Sequence, residues 1–228
     1  MVRVTHWITA VAFVALLLTG AEIVVSHPRF YWGETGSSVT QAWLTIPIPS
    51  SRGTVPTGYG YVMPDQNGWS RYLHFEAAWV AVLTGLVYVF AGLGMGHFRR
   101  NLAPAKGERS WQALWGVVAG YLRRAPPAGS ANDRYNPLQK VTYLAVIFVL
   151  FPLVIWTGLA LSPGWDSAFP ATVNLLGGRQ SARTLHFLIS ALLLLFFAVH
   201  VAMVAATGFR SRTRAMITGR TRAPEERG

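Results

Sequence analysis

The chain has no cysteine. That excludes disulfides, iron-sulfur clusters held by this chain and thiolate ligation of a haem iron. Acidic residues are scarce, nine Asp and Glu against twenty Lys and Arg, and charged residues of all kinds make up only 13% of the sequence. Nucleotide-binding signatures are missing too. Gly92, Gly94 and Gly96 cluster at the end of an apolar run, without the strand-turn-helix context that a phosphate or dinucleotide loop needs. A nicotinamide site in this chain is therefore not expected. What remains is apolar: 52% of the 228 residues are hydrophobic and the mean hydropathy is positive.

Crossing a bilayer core of about 30 Å takes roughly 20 apolar residues. Four runs meet that requirement: Trp7 to Val25, Phe75 to Met95, Val141 to Leu161 and Leu185 to Thr207. The expected fold is all-α, an integral membrane four-helix bundle over residues 1–209, followed by a basic tail over 210–228. The first run follows a short basic start, as a signal peptide does, but it is long and has no small-residue cleavage site, so it reads as a retained helix.

Fifteen of the twenty basic residues fall before the first run, between residues 97 and 140, or after Thr207. Cations stay on the cytoplasmic side, so both termini are expected there, in a bacterial cytoplasmic membrane. The net charge of +11 is mostly this topological signal. Nucleic acid is not an expected partner, because the arginines flank spans instead of forming a basic face with interleaved aromatics.

The two long loops differ in character. The outer loop, 27–73, carries Trp32, Trp43, Tyr59, Tyr61 and Trp69 among prolines and glycines such as Pro47, Ile48, Pro49. It is too long and too aromatic for a connector, and reads as a docking face over the membrane surface. In the inner loop, 97–140, Trp111, Leu114, Trp115, Val118 and Leu122 recur at helical spacing between Lys106 and Arg109 on one side and Arg123 and Arg124 on the other. That is the pattern of a short helix lying in the interface and anchored to anionic lipid.

Six histidines stand against this apolar background, and three have an arginine three residues ahead: Arg3/His6, Arg71/His74 and Arg183/His186. Residues three apart share a helix face, so each arginine lies one turn nearer the water. With the N-terminus inside, His74 and His186 enter their helices from the same outer level, while His6 enters from inside. His200 follows His186 by fourteen residues, about 21 Å deeper and nearly on the same face. The fourth helix therefore offers one imidazole at each of two depths. Depth pairs His74 with His186 and His6 with His200, an arrangement suited to two b-type haems with an imidazole on each side of every iron.

The arginines then suit haem propionates. His6 fits this scheme least well, since it lies almost at the chain start whereas His200 is several residues short of its helix end. His27 and His97 are not expected to ligate iron; His97 suits a propionate or a proton path. The pairs Thr19-Gly20, Thr84-Gly85 and Thr157-Gly158 read as packing aids, because glycine allows close backbone approach.

The start Arg3-Val4-Thr5-His6-Trp7, the stretch Tyr135-Asn136-Pro137-Leu138-Gln139-Lys140 and the fourteen-residue histidine spacing resemble the four-helix di-haem cytochrome b subunits of respiratory complexes. These include the gamma subunit of formate dehydrogenase and the cytochrome b subunits of thiosulfate reductase and uptake nickel-iron hydrogenases. The resemblance implies that His6, His74, His186 and His200 are axial ligands. It also implies a quinone, ubiquinone or menaquinone, near the inner haem, with Asn136 and Gln139 in its neighbourhood. Chemistry supports polar groups there, because a quinone taking two electrons also takes two protons. Capping of the third helix, with Pro137 in its first turn, is the competing role for these residues.

The function that follows is electron transport across the membrane, between a periplasmic catalytic partner and the quinone pool. The outer loop resembles those of chains that accompany periplasmic molybdopterin oxidoreductases, which places that partner first and a nickel-iron hydrogenase second. A self-contained enzyme passing electrons from superoxide to quinone is a third reading. A haem-free membrane anchor or transporter, with histidines lining a polar path, is the alternative from another class.

Overall fold

The structure is a computed structural model that describes residues 1–36, 39–47, 67–123, 135–206 and 208–219. Ile48, Pro49, Tyr59 and Tyr61 of the outer loop, Arg124 beside the inner helix and the tail beyond 219 lie outside the described residues, as do the side chains of Lys106 and Leu122.

Four helices are long and apolar enough to cross a membrane. They are α1 (Val2–Ser26), α2 (Asn67–Gly94), a third span made of α4 (Pro137–Ala145), a wider-wound turn (Val146–Leu150) and α5 (Phe151–Ala160), and α8 (Arg179–Ala206). Each begins earlier than its apolar run. Arginine and histidine thus lie inside α1, α2 and α8 instead of at their mouths. A helix supplies its own backbone hydrogen bonds and gains by continuing through an interface, whereas hydropathy registers only the apolar part.

By contact, the chain divides into two compact units, residues 1–85 with 157–228, and residues 86–156. In the first unit, α1 shows how a sequence assigns faces in lipid. Thr5, Ala12, Thr19 and Ser26, seven apart, are its buried residues. Val4, Val11, Leu18 and Val25, also seven apart, are exposed. Small residues let helices approach closely, and bulky apolar ones suit lipid.

A two-residue antiparallel ladder joins β1 (Arg29–Phe30) to β2 (Leu44–Thr45). The segment around β1 is stitched onto the start of α8. The Arg179 N–H donates to the Glu34 carboxylate at 3.0 Å, and the Gln180 and Ser181 N–H groups donate to the Gly33 carbonyl. These are the first-turn donors that a helix cannot satisfy itself. The Thr184 hydroxyl donates to the Tyr31 carbonyl, and the Gly33 N–H donates to Ser181 Oγ. Gly178 adopts φ +98°, and a Cβ there would strike Glu34. The outer loop is thus, in part, the N-terminal cap of α8. Glu34→Ala is expected to cost about 1 kcal/mol, as other lost caps do, seen as a lower thermal midpoint of the purified chain. An unchanged midpoint counts against the cap.

Between the third span and α8 run α6 (Pro163–Ala168) and α7 (Pro170–Asn174). Val173 packs there with Ala160 and Ala182, covered by Leu161, Trp165 and Leu176. After α8, the described start of the basic tail is helical over α9 (Phe209–Thr218), set off by Gly208 at φ +109°.

The second unit holds α3 (Trp111–Leu122), the inner helix expected from the apolar spacing. Trp111 and Trp115, one turn apart, stack at 6.1 Å and are exposed. The wide turn at Val146–Leu150 has a cause in the sequence. Pro152 has no N–H for the carbonyl four residues back, and the ladder shifts to the Phe151 N–H donating to the Val146 carbonyl. Phe98 fills this unit's core, edge-on to Phe148 at 5.0 Å and so close to Gly92 that a Cβ there would overlap its ring.

Candidate functional site

The depth arithmetic brings four histidines together as two pairs, both within the first unit. His74 of α2 faces His186 of α8 with ring centroids 6.3 Å apart and planes at 67°. His6 of α1 faces His200 of α8 at 6.3 Å and 63°. The concern about His6 disappears, because residues 2–6 are already helical and place the ring opposite His200.

Two imidazoles at this separation do not touch. An imidazole nitrogen binds a metal at about 2 Å, and with roughly 1.1 Å from nitrogen to ring centre on each side, a shared metal sets the centroids about 6.2 Å apart. Among the described residues no group of three or more His, Cys, Asp or Glu could hold a bare metal ion. Two opposed imidazoles are the protein's share when a porphyrin supplies the other four nitrogens. The donor set therefore fits haem.

His74 and His186 are oriented by matching devices. Thr19 Oγ1 lies 2.9 Å from His74 Nδ1, and Thr157 Oγ1 lies 3.1 Å from His186 Nδ1. The Thr19 hydroxyl donates its one hydrogen to the Ala15 carbonyl at 2.7 Å. It must then accept from His74, so Nδ1 carries the proton and Nε2 keeps the lone pair a metal needs. Such outer hydrogen bonds fix ring orientation and raise ligand basicity. The following glycine completes the device. A Cβ at Gly20 would lie 3.5 Å from His74 Cε1, and one at Gly158 would lie 3.2 Å from His186 Cε1. The sequence reading took these pairs as packing aids; their signal was the repeat itself. The third pair differs, since Gly85 faces open space.

His6 and His200 are steadied by rings. His200 stacks on Phe196 at 5.8 Å, and Trp7 meets His6 edge-on at 5.4 Å. Phe13 packs against Phe197 at 5.4 Å. Along α1, Phe13 is about 10 Å from the level of His6, which puts the phenyl pair between the two histidine levels.

The arginines divide. Arg183 donates to the His27 and Arg29 carbonyls and lies 5.0 Å over the Phe30 ring, so it clamps the outer loop. Arg3 donates to the Ile217 carbonyl at 3.4 Å, closing the end of α9. Both thus serve backbone carbonyls where propionates were expected. Arg71 is exposed.

Asn136, Gln139 and Lys140 take up structural work at the start of α4. Asn136 Oδ1 accepts from the Gln139 N–H at 2.8 Å, and Gln139 Oε1 accepts from the Asn136 N–H at 3.1 Å. This is a reciprocal cap. Lys140 pairs with Glu108 at 3.0 Å. The Ala105 N–H and the Lys140 ammonium, both donating to Glu108, hold its carboxyl below the usual carboxylate range. His97 belongs to the second unit, where it accepts from Asn101 Nδ2 at 3.0 Å and is edge-on to Tyr88 at 6.0 Å. His27 contributes its carbonyl to the Arg183 clamp.

Residues 1–219 match the family description of prokaryotic cytochrome b561. The chain belongs to that family. It is a membrane b-type cytochrome, an all-α membrane helical protein whose business is electron transport. A chain of Azospira oryzae, named provisionally as the protein-methionine-sulfoxide reductase subunit YedZ1, is 30% identical over 204 residues, covering 89% of this cytochrome and 87% of the relative. Chains of Azotobacter chroococcum and Cupriavidus necator, both named provisionally as Ni/Fe-hydrogenase B-type cytochrome subunits, are 25% identical. The first covers 92% of this cytochrome and 80% of the relative, the second 88% and 74%. No solved structure matches the chain at a significant level. None of these names carries a molybdopterin enzyme, so the expected order of partners is reversed, with hydrogenase ahead. Each of these relatives is named as a subunit.

Proposed function

We propose that this cytochrome b holds two haems and carries electrons across the membrane between a catalytic partner subunit and the quinone pool. The observation that carries the reading is the repeated 6.3 Å opposition of His74 to His186 and of His6 to His200. Haem supplies a one-electron redox centre wherever such a pair binds it. The chain's own contribution is position: α8 presents one imidazole at each of two depths, α2 and α1 present the second, and Thr19 keeps the His74 lone pair directed inward.

A nickel-iron hydrogenase is the first partner, on the names of several relatives that match most of the chain. The 30% relative supports a second, a methionine-sulfoxide reductase. The two differ in direction, since hydrogen oxidation delivers electrons and sulfoxide reduction consumes them. Quinone stands at the other end, on the side of His6 and His200, which with both termini is cytoplasmic. The capping bonds engage the amide oxygens of Asn136 and Gln139; a quinone carbonyl calls for donors, which these amides carry on nitrogen.

Visible spectroscopy of the purified chain tests the first claim. Reduced b-type bands with about two haems per chain are expected, and a colourless protein overturns the reading. Adding menaquinol or ubiquinol anaerobically should reduce those bands, and a fully oxidised spectrum after either addition removes the quinone role. Purification of the tagged chain from its host then separates the partners by the large subunit that accompanies it.

A further inference from the structure

We propose that α9 binds anionic phospholipid headgroups and that this contact steadies the inner histidine pair; the second part rests on the haem reading. Over Phe209–Thr218 the helix carries Arg210, Arg212 and Arg214 and no acidic residue. All three arginines are exposed, as are Phe209 at 57% and Ile217 at 63%. At about 100° per residue, Phe209, Met216 and Ile217 share one arc, with Arg210 and Arg214 on one border and Arg212 on the other. Arginines bordering an apolar stripe reach headgroup phosphates while their stems lie along the acyl boundary.

Position selects lipid over a soluble acidic partner. The last residue of α8, a membrane-length helix, is Ala206, and α9 starts at Phe209 after the left-handed Gly208. The arginines therefore lie at the level of a membrane surface. Exposed Phe209 and Ile217 at that level suit a lipid interface, which takes up both.

The far end of α9 is tied to α1. Trp7 Nε1 donates to the Met216 carbonyl at 3.2 Å, and Arg3 donates to the Ile217 carbonyl at 3.4 Å. These two side chains flank His6 in sequence. Gly219 adopts φ +77°, and the Arg3 guanidinium lies against it. Since α8 carries His200 and runs directly into α9, the short helix bridges both inner ligand helices. Whatever fixes α9 against the membrane also fixes the spacing of His6 and His200.

The test uses the full chain in nanodiscs of phosphatidylcholine with or without phosphatidylglycerol. Native mass spectrometry should show selective retention of phosphatidylglycerol, weakened about fivefold for each arginine neutralised in R210Q/R212Q/R214Q. The charge-preserving R210K/R212K/R214K variant should retain it. Equal retention by the wild type and the glutamine variant overturns the lipid site, whether or not haem is present. In the second arm, redox titration should show phosphatidylglycerol shifting the midpoint of one haem in the wild type and neither haem in the glutamine variant. Lipid retention with both midpoints unmoved overturns the coupling and leaves the lipid site standing. A colourless preparation sinks the haem reading, while the retention comparison still decides the surface.

Discussion

His186→Ala is expected to halve the haem content of the purified chain, from about two to about one, and to abolish electron flow between the membrane faces. The imidazole of His186 has one counterpart, His74, and alanine leaves that counterpart facing a cavity. The inner pair depends on other residues, His6 and His200 steadied by Trp7 and Phe196, so one b-type spectrum should survive. That surviving spectrum separates ligand loss from failure to fold. His97→Ala is the matched control, because His97 bonds Asn101 and belongs to neither pair. Retention of both haems in the His186 variant would falsify the assignment, and so would loss of one in the His97 variant.

Thr19→Val should weaken the outer haem alone. Valine keeps the shape of threonine but offers no oxygen to the His74 Nδ1–H. Thr19 is only 1% exposed, so water cannot replace the lost partner, and losing one such hydrogen bond costs about 0.5–1.5 kcal/mol. Loss of such an outer hydrogen bond typically lowers metal affinity about 10–100-fold. The ring also loses its orienting partner and part of its basicity, which should raise the midpoint of that centre while the inner one stays in place. Thr19→Ser restores the oxygen and should restore both quantities. Haem retention and midpoints equal to the wild type in the valine variant would show that the 2.9 Å contact is incidental.

The histidine pairs were legible in the sequence because helical rise is constant: fourteen residues along α8 convert directly into depth, and the two partners follow from topology. The partners of Arg3 and Arg183 were not legible, because spacing shows which residues share a face and says nothing of what lies opposite. Arg183 meets carbonyls of the outer loop and Arg3 meets α9, both contacts between residues more than 150 positions apart. The helical tail escaped notice because Arg210 to Thr218 is too polar for hydropathy, and its stop signals, Gly208 and Gly219, act through positive φ. The capping role of Asn136 and Gln139 was visible in their spacing ahead of an apolar run. Thr19-Gly20 and Thr157-Gly158 were visible as a repeat, but their meaning depended on which ring each pair faced.

The seven-residue seams of α1 make its length a constraint. Between His6 and Thr19 the helix must keep the imidazole against His200 at one end and the hydroxyl against His74 at the other. One inserted residue turns everything beyond it by about 100°, exchanging the small seam for the bulky one and carrying the hydroxyl away from its ring. Substitutions among Val4, Val11 and Leu18, which face outward, leave that register untouched. Relatives that keep both histidine pairs are therefore free to drift in composition along the outer face of α1 and bound to keep the thirteen-residue interval from His6 to Thr19.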